Sequence, residues 1–321
     1  MSSYRSLPQM QRLLVVALIL CGLAAIATNA STINILRGKP QQQQQPIGST
    51  SGNQTRPGTF ERILIVNFEN QPLQLTLLHE YFNYVAYKVG SLLGQYYAIT
   101  HPSQPNYLCQ IAGDYFGHNS DSNVNVNATT LVDLLEAKGL TWKSYQEDYP
   151  KANSGTGSCY VDANYQKLYY RKHNPFMTFD NIRNNPNRCR NIVSAEQLDI
   201  DIASGKLPNV MYYTPNIDND GHNTGLNYAN DWFAKWLPSK LNNPNFMRGT
   251  LIFVTFDEDD YLFENHIYAV VIGDMVKTGI EDRNTYNHYS LLRTIEENFQ
   301  LGTLGRNDAT ANSFTSCFKN Q

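Results

Sequence analysis

The sequence predicts an α/β fold: a doubly wound, mostly parallel central sheet within a chain of 321 residues. Three observations carry this. Short, nearly continuous apolar runs recur along the chain, helical patterns lie between them, and acidic or imidazole residues follow the runs directly. Continuous apolar runs are the pattern of strands buried on both faces of a parallel sheet, and their alternation with helices argues for α/β winding. Ligands in such sheets bind beyond the carboxyl ends of the strands.

The composition narrows the class. Charged residues are 17% and hydrophobic residues 41%, with 25 Lys plus Arg against 28 Asp plus Glu, a formal charge of −3. No long basic run appears, so the electrostatic footprint of a nucleic-acid binder is absent. Disorder, collagen and a multi-span membrane protein are excluded as well. The length alone allows one or two domains.

Residues 1–30 read as a secretory signal peptide. Arg5 and Arg12 precede Leu13 to Ala27, fifteen residues without charge, and small residues follow at Ala27-Thr28-Asn29-Ala30. A retained signal anchor is the alternative, but fifteen residues fall short of the ~20 that span a bilayer. Cleavage implies a secreted protein, extracellular or held in a cell wall, without stable membrane insertion. It leaves Cys109, Cys159, Cys189 and Cys317, an even number that favours two disulfides among three connectivities. Cys159 with Cys189 is preferred because both lie in one irregular Asn- and Tyr-rich stretch, and Cys109 with Cys317 follows by elimination. Sequons at Asn53-Gln54-Thr55 and Asn127-Ala128-Thr129 fit a glycoprotein in a eukaryotic host.

Residues 31–59 are polar, include Gln41 to Gln45 and lack apolar periodicity, so they read as a flexible leader. Residues 60–321 then form a single catalytic domain. Its strands are read at Arg62 to Phe68, Asn209 to Tyr213, Thr250 to Phe256 and His266 to Ile272. Its helices are read at Leu131 to Lys138 before Gly139, Ala195 to Ala203 before Gly205, Asn227 to Leu241, and Ser290 to Phe299.

The chemistry clusters at the ends of these strands. Four adjacent carboxylates at Asp257-Glu258-Asp259-Asp260 would read as a solvated acidic loop if they stood alone. Glu69-Asn70 after the first strand, and Asp218, Asp220 and His222 after the second, instead suggest a shared hard divalent cation. Ser103 lies where a helix would begin. A serine there is ordinarily an N-cap, but the same position aims N–H groups at an anion, and a metal on its oxygen would make the hydroxyl a nucleophile. The Asp-x-x-Gly-His spacing lets a carboxylate and an imidazole reach one ion across a turn at Gly221. His288 precedes the last helix, where it could complete a metal site or hold a phosphate.

Together, Phe68-Glu69-Asn70, His101-Pro102-Ser103 with Pro105-Asn106-Tyr107, Lys172-His173-Asn174-Pro175, Asn219-Asp220-Gly221-His222, Thr255-Phe256-Asp257-Glu258 and Asn287-His288-Tyr289-Ser290 resemble the phosphoesterase family of secreted acid phosphatases and phospholipases C, within the alkaline phosphatase superfamily. The resemblance runs from about Phe60 to Leu301 and implies a three-layer α/β/α sandwich, alkaline phosphatase-like, in a metal-dependent hydrolase. It implies that Glu69, Asn70, Asp257 and Glu258 hold the metal and that Ser103 is both ligand and nucleophile. Asp218 is expected as a further ligand, with one ion or two left open. His222 and His288 are expected as catalytic groups, and His101, Asn106, His173 and Asp220 against the substrate. The implied reaction is phosphomonoester hydrolysis through a phosphoserine with an acidic optimum; the alternative is a phospholipase C or other phosphodiesterase acting on phospholipid.

Overall fold

The computed structural model describes residues 58–319. The signal peptide, the leader, Cys21 and the Asn53 sequon lie outside the described residues. Ten strands are present among the described residues: β1 (Arg62–Phe68), β2 (Ser91–Tyr97), β3 (Trp142–Gln146), β4 (Asn164–Tyr165), β5 (Tyr169–Tyr170), β6 (Ile192–Ser194), β7 (Val210–Thr214), β8 (Thr250–Phe256), β9 (Ala269–Ile272) and β10 (Glu281–Asn287). Eight build one sheet in the order β10-β2-β9-β8-β1-β7-β3-β6, and β4 with β5 forms a separate hairpin. Only β9 runs against its neighbours in the large sheet. The fold is therefore α/β with a large, mostly parallel central sheet.

The longer helices are α1 (Ser103–Ala112), α2 (Leu131–Ala137), α3 (Gln197–Ser204), α4 (Leu226–Leu241) and α5 (His288–Phe299). Alternation along the central strands shows how they are layered, because successive side chains leave a strand on opposite faces. In β1, Asn67 accepts from Gln110 of α1 at 2.8 Å, whereas Phe68 packs edge-on against Phe233 of α4. In β7, the Tyr212 hydroxyl donates to Gln110, whereas Tyr213 packs against Trp236 of α4. Helices α1 and α4 thus cover opposite faces, giving three layers. Ile63, Leu64, Ile65, Val66 and Phe68 are fully buried between them. Burying one such side chain contributes about 1.5–3 kcal/mol.

Helix α5 starts two residues before the sequence-predicted position because the Asn287 side chain caps it, accepting from the Tyr289 and Ser290 N–H groups. Helix α1 ends at Gly113, whose φ of +69° closes the turn in the left-handed region.

Cys159 and Cys189 are bonded, with a Cα separation of 5.3 Å. The second expected disulfide is absent: Cys109 and Cys317 are free and buried. Cys109 contacts the Tyr289 hydroxyl, just past the end of β10. Cys317 lies near Asp282, at the strand's start. The length of a strand therefore separates the two thiols.

Candidate active site

Five loops meet at the carboxyl edge of the sheet. Glu69 and Asn70 follow β1, the turn carrying His101 and Ser103 follows β2, the segment to His222 follows β7, Asp257 to Asp259 follow β8, and His288 follows β10. Backbone pairing fixes their heights: the Glu69 N–H donates to the Asp220 carbonyl at 3.0 Å, and the Asp257 N–H to the Phe68 carbonyl at 3.0 Å.

Ser103 is the first residue of α1 and is 1% exposed. Its hydroxyl lies 3.0 Å from Glu69 Oε2 and 3.1 Å from Glu258 Oε1, one proton between two buried carboxylates. The turn leading to it is tied by Asn106, whose Oδ1 accepts from the Ile99 and Thr100 N–H groups and whose Nδ2 donates to the Thr100 carbonyl at 2.7 Å. Those bonds use both ends of the Asn106 amide within the chain and tie down the turn that precedes Ser103.

Asn70 adopts φ +52°, a left-handed conformation that asparagine tolerates better than most residues. This turns its Nδ2 onto Glu258 Oε1 at 2.9 Å and its N–H onto Asp257 Oδ1 at 3.0 Å. Glu69 faces two ways: Oε2 meets Ser103, while Oε1 takes the Tyr107 hydroxyl and lies 3.3 Å from His173 Nε2. His173 Nδ1 in turn lies 3.6 Å from Asp220 Oδ2, and its ring stacks on Tyr107.

Other expected residues are placed differently. The Asp218 carboxylate accepts from Asn223 at 3.1 Å, and the Asn216 side chain takes the Asp218 and Asn219 N–H groups, turning Asp220 inward in its place. The His222 N–H donates to Asp220 at 2.8 Å, and the His222 ring is 6.1 Å from that of His173. His288 lies behind the site, with Nε2 2.7 Å from the Asp257 carbonyl and Nδ1 3.3 Å from both the Tyr96 hydroxyl and Gln110. Only a donor satisfies a carbonyl, so Nε2 carries the proton; burial lowers the ring to about 4 and keeps it neutral. His101 bridges Glu258 at 2.5 Å and Asp259 at 3.3 Å. Burial works against its charge, but the hydrogen bonds and charges of those two carboxylates prevail and raise it to about 9. A cleft of about 390 Å³ opens beside it, lined in part by Ala98, Asp259 and Tyr261.

The electrostatics are those of crowded, buried carboxylates. Burial first, and then neighbouring carboxylates, raise Glu69 and Asp257 far above the usual range, Asp257 to about 8; burial also raises Asp220 and Glu258. Glu69, His173 and Asp220 offer ligand atoms within 4.8 Å of one another. Among the described residues, buried Asn70 Oδ1, His173 Nε2, Asp220 Oδ2 and Asp257 Oδ2 have no hydrogen-bond partner. Oxygen and imidazole donors left without protein partners fit a hard or borderline divalent ion.

Tyr107, Lys172 and Asp121 have no role in the sequence-based expectations. Tyr107 and Lys172 stood within recognised motifs, whereas Asp121 has no local signal. Lys172 Nζ bonds Asp121 at 2.8 Å, and the other Asp121 oxygen accepts from the Gln104 N–H at 3.0 Å.

The fold has a counterpart of known structure in the alkaline phosphatase superfamily. A member of it from Vibrio parahaemolyticus matches the fold at a TM-score of 0.54 and 14% identity, over 80% of this chain and 71% of that one. The model of the phosphoesterase family matches residues 80–302, and the chain belongs to that family. A probable acid phosphatase from Kluyveromyces lactis is 38% identical over 259 residues, which cover 79% of this chain and 61% of that protein. A phosphatidylinositol-3-phosphatase from Mycobacterium tuberculosis is 32% identical over 260 residues, covering 77% of this chain and 79% of its own. The chain spans about six-tenths of the length of the fungal acid phosphatases it matches.

Proposed function

We propose that the chain is a metal-dependent acid phosphatase in which Ser103 attacks a phosphomonoester and becomes a phosphoserine. The observation that carries this reading is the Ser103 hydroxyl, held at a helix N-terminus between Glu69 and Glu258. Glu69, Asn70, Ser103, Asp257 and Glu258 would hold one divalent ion, and Glu69, His173 and Asp220 offer the place for a second. Such an ion supplies charge neutralisation and lowers the pKa of a bound hydroxyl.

The remaining steps belong to the chain itself. The Gln104 N–H at the start of α1 and the Lys172 ammonium, both bonded to Asp121, adjoin Ser103 and His173 in the chain and are the donors for phosphoryl oxygens as these gather negative charge. His222 is our choice for the acid that protonates the leaving oxygen. Its pKa is lowered by burial first and by Lys172 second, so it carries that proton under acidic conditions and activity falls as pH rises. His288 acts through Asp257, holding its carbonyl.

Secretion belongs to the same proposal: residues 1–30 are removed as a signal peptide, residues 31–59 serve as a leader, and residues 60–321 act as one catalytic domain. Asn127, whose side chain is exposed, is the described glycosylation site. The test is hydrolysis of p-nitrophenyl phosphate and of phosphatidylcholine by the wild type and by Ser103→Ala, each with and without chelator. We expect monoester hydrolysis that Ser103→Ala and chelation both abolish. Full activity in Ser103→Ala overturns the nucleophile, and hydrolysis of the phospholipid alone replaces the phosphatase with a phospholipase C.

A further inference from the structure

Helix α1 receives no cap from its own N-cap residue, Pro102, and has no acidic residue in its first turn. Pro105, its third residue, has no N–H to offer. The helix start is instead met from outside, by a carboxylate on the segment between α1 and α2. Asp121 Oδ1 takes the Gln104 N–H at 3.0 Å and Oδ2 takes Lys172 Nζ at 2.8 Å. Both donors flank the reacting groups. Gln104 adjoins Ser103, and Lys172 adjoins His173, whose buried Nε2 faces Glu69 without a hydrogen bond.

A planar carboxylate spanning a helix N-terminal N–H and an ammonium occupies the donors that two phosphoryl oxygens would take. The segment bearing it is pinned beyond Asp121: the Arg171 guanidinium holds the Val124 carbonyl and the Asn125 side chain, and the Val126 N–H bonds the Thr178 carbonyl. Around Asp121 itself, Ser120, Ser122 and Asn123 are exposed. The carboxylate can therefore withdraw into water while its anchor stays in place.

We propose that Asp121 is an internal stand-in for the substrate phosphate, holding Gln104 N–H and Lys172 Nζ until a phosphoryl group displaces it. This rests on the phosphatase reading of Ser103. Binding weakens by the fraction of molecules in which the carboxylate has withdrawn.

The alternative, that Asp121 merely orients Lys172, gives the opposite sign. Calorimetric titration of the metal-loaded protein with inorganic phosphate separates them. If Asp121 competes, Asp121→Asn, which keeps an oxygen for Gln104 but loses the charge, binds phosphate about tenfold more tightly, corresponding to a competent fraction of about a tenth in the wild type. Lys172→Met binds phosphate at least tenfold more weakly. Unchanged or weaker phosphate binding in Asp121→Asn overturns the proposal. Since the wild type would then still hydrolyse the monoester, that outcome leaves the phosphatase reading standing. A wild type that neither binds phosphate nor hydrolyses the monoester overturns both.

Discussion

Asn106→Ala tests how Ser103 is positioned. The wild-type amide accepts two backbone N–H groups, from Ile99 at 2.9 Å and Thr100 at 3.1 Å, and donates to the Thr100 carbonyl at 2.7 Å. Alanine removes these bonds, and a longer one to the Pro102 carbonyl at 3.4 Å, from a fully buried position. Ile99 and Thr100 are only partly buried, so water reaches part of what is orphaned. At about 1–3 kcal/mol per orphaned group, discounted for that access, the loss comes to about 2–4 kcal/mol. In a domain of this size that lowers Tm by roughly 5–15 °C. The functional loss is separate. The turn sets where α1 begins, and a displacement of about 1 Å at a reacting atom costs on the order of 10²-fold in rate. Differential scanning calorimetry and kcat on p-nitrophenyl phosphate, read at a temperature where the variant is fully folded, measure the two effects. Asn106→Asp keeps the acceptor and loses the donor, so it should fall between wild type and alanine. A Tm within about 1 °C of wild type, or an undiminished kcat in the folded variant, would refute the argument.

Two further predictions concern charge. Asp257 is raised to about 8, so without a cation the folded protein holds protons that the unfolded chain releases near its ordinary ~3.9, and stability is lost as pH rises between those values. The Tm difference between metal-loaded and chelated protein should therefore be largest near pH 8 and shrink toward pH 4.5; a constant difference would contradict the cation assignment. Glu296 is raised to about 9 by burial first and then by Asp308, which the Leu304 and Arg306 N–H groups hold. The sign is the same, with stability lost as pH climbs from about 4.3 to 9, so Glu296→Gln should add about 2–4 kcal/mol at pH 7.5 and almost nothing at pH 4.5. Urea titrations at the two pH values check it, and equal gains at both would refute it.

What the sequence disclosed follows from where each element lies. The run Arg62 to Phe68 is legible because β1 has parallel neighbours on both sides and helices on both faces, so nearly every residue is apolar. Strand β10 reads Glu-Asp-Arg-Asn-Thr-Tyr-Asn; it lies at the sheet edge and buries only alternate positions near its ends, so no apolar run betrays it. Strand β2 was masked by Gly94, over which the Glu281 side chain packs so closely that a Cβ would meet it at 2.7 Å. Glu69, Asn70, Ser103, Asp257 and Glu258 were legible because each follows a strand end or opens a helix. The Asp218 and Asp220 alternatives were not separable: an Asx turn at Asn216 decides which carboxylate faces inward, and spacing alone does not record that rotation. The contact between Lys172 and Asp121 joins residues 51 positions apart, with no periodicity to announce it.

His288 shows how burial and partners narrow what a histidine at a helix start can do. A histidine at the start of a C-terminal helix, beside strand ends rich in carboxylates, has the local look of a ligand. Its position, however, puts the ring beneath the sheet edge, where Tyr96, Gln110 and the Asp257 carbonyl take both nitrogens. A ligand needs a lone pair facing the ion, and Nε2 spends its proton on the carbonyl instead. Neutral His288 fixes the backbone of Asp257 without adding a positive charge beside the buried carboxylates. His101 does the reverse at the solvent side, where a charged ring can bridge Glu258 and Asp259 with its cost shared by water. Two imidazoles of one residue type thus support adjacent carboxylates in opposite charge states, and burial decides which is which.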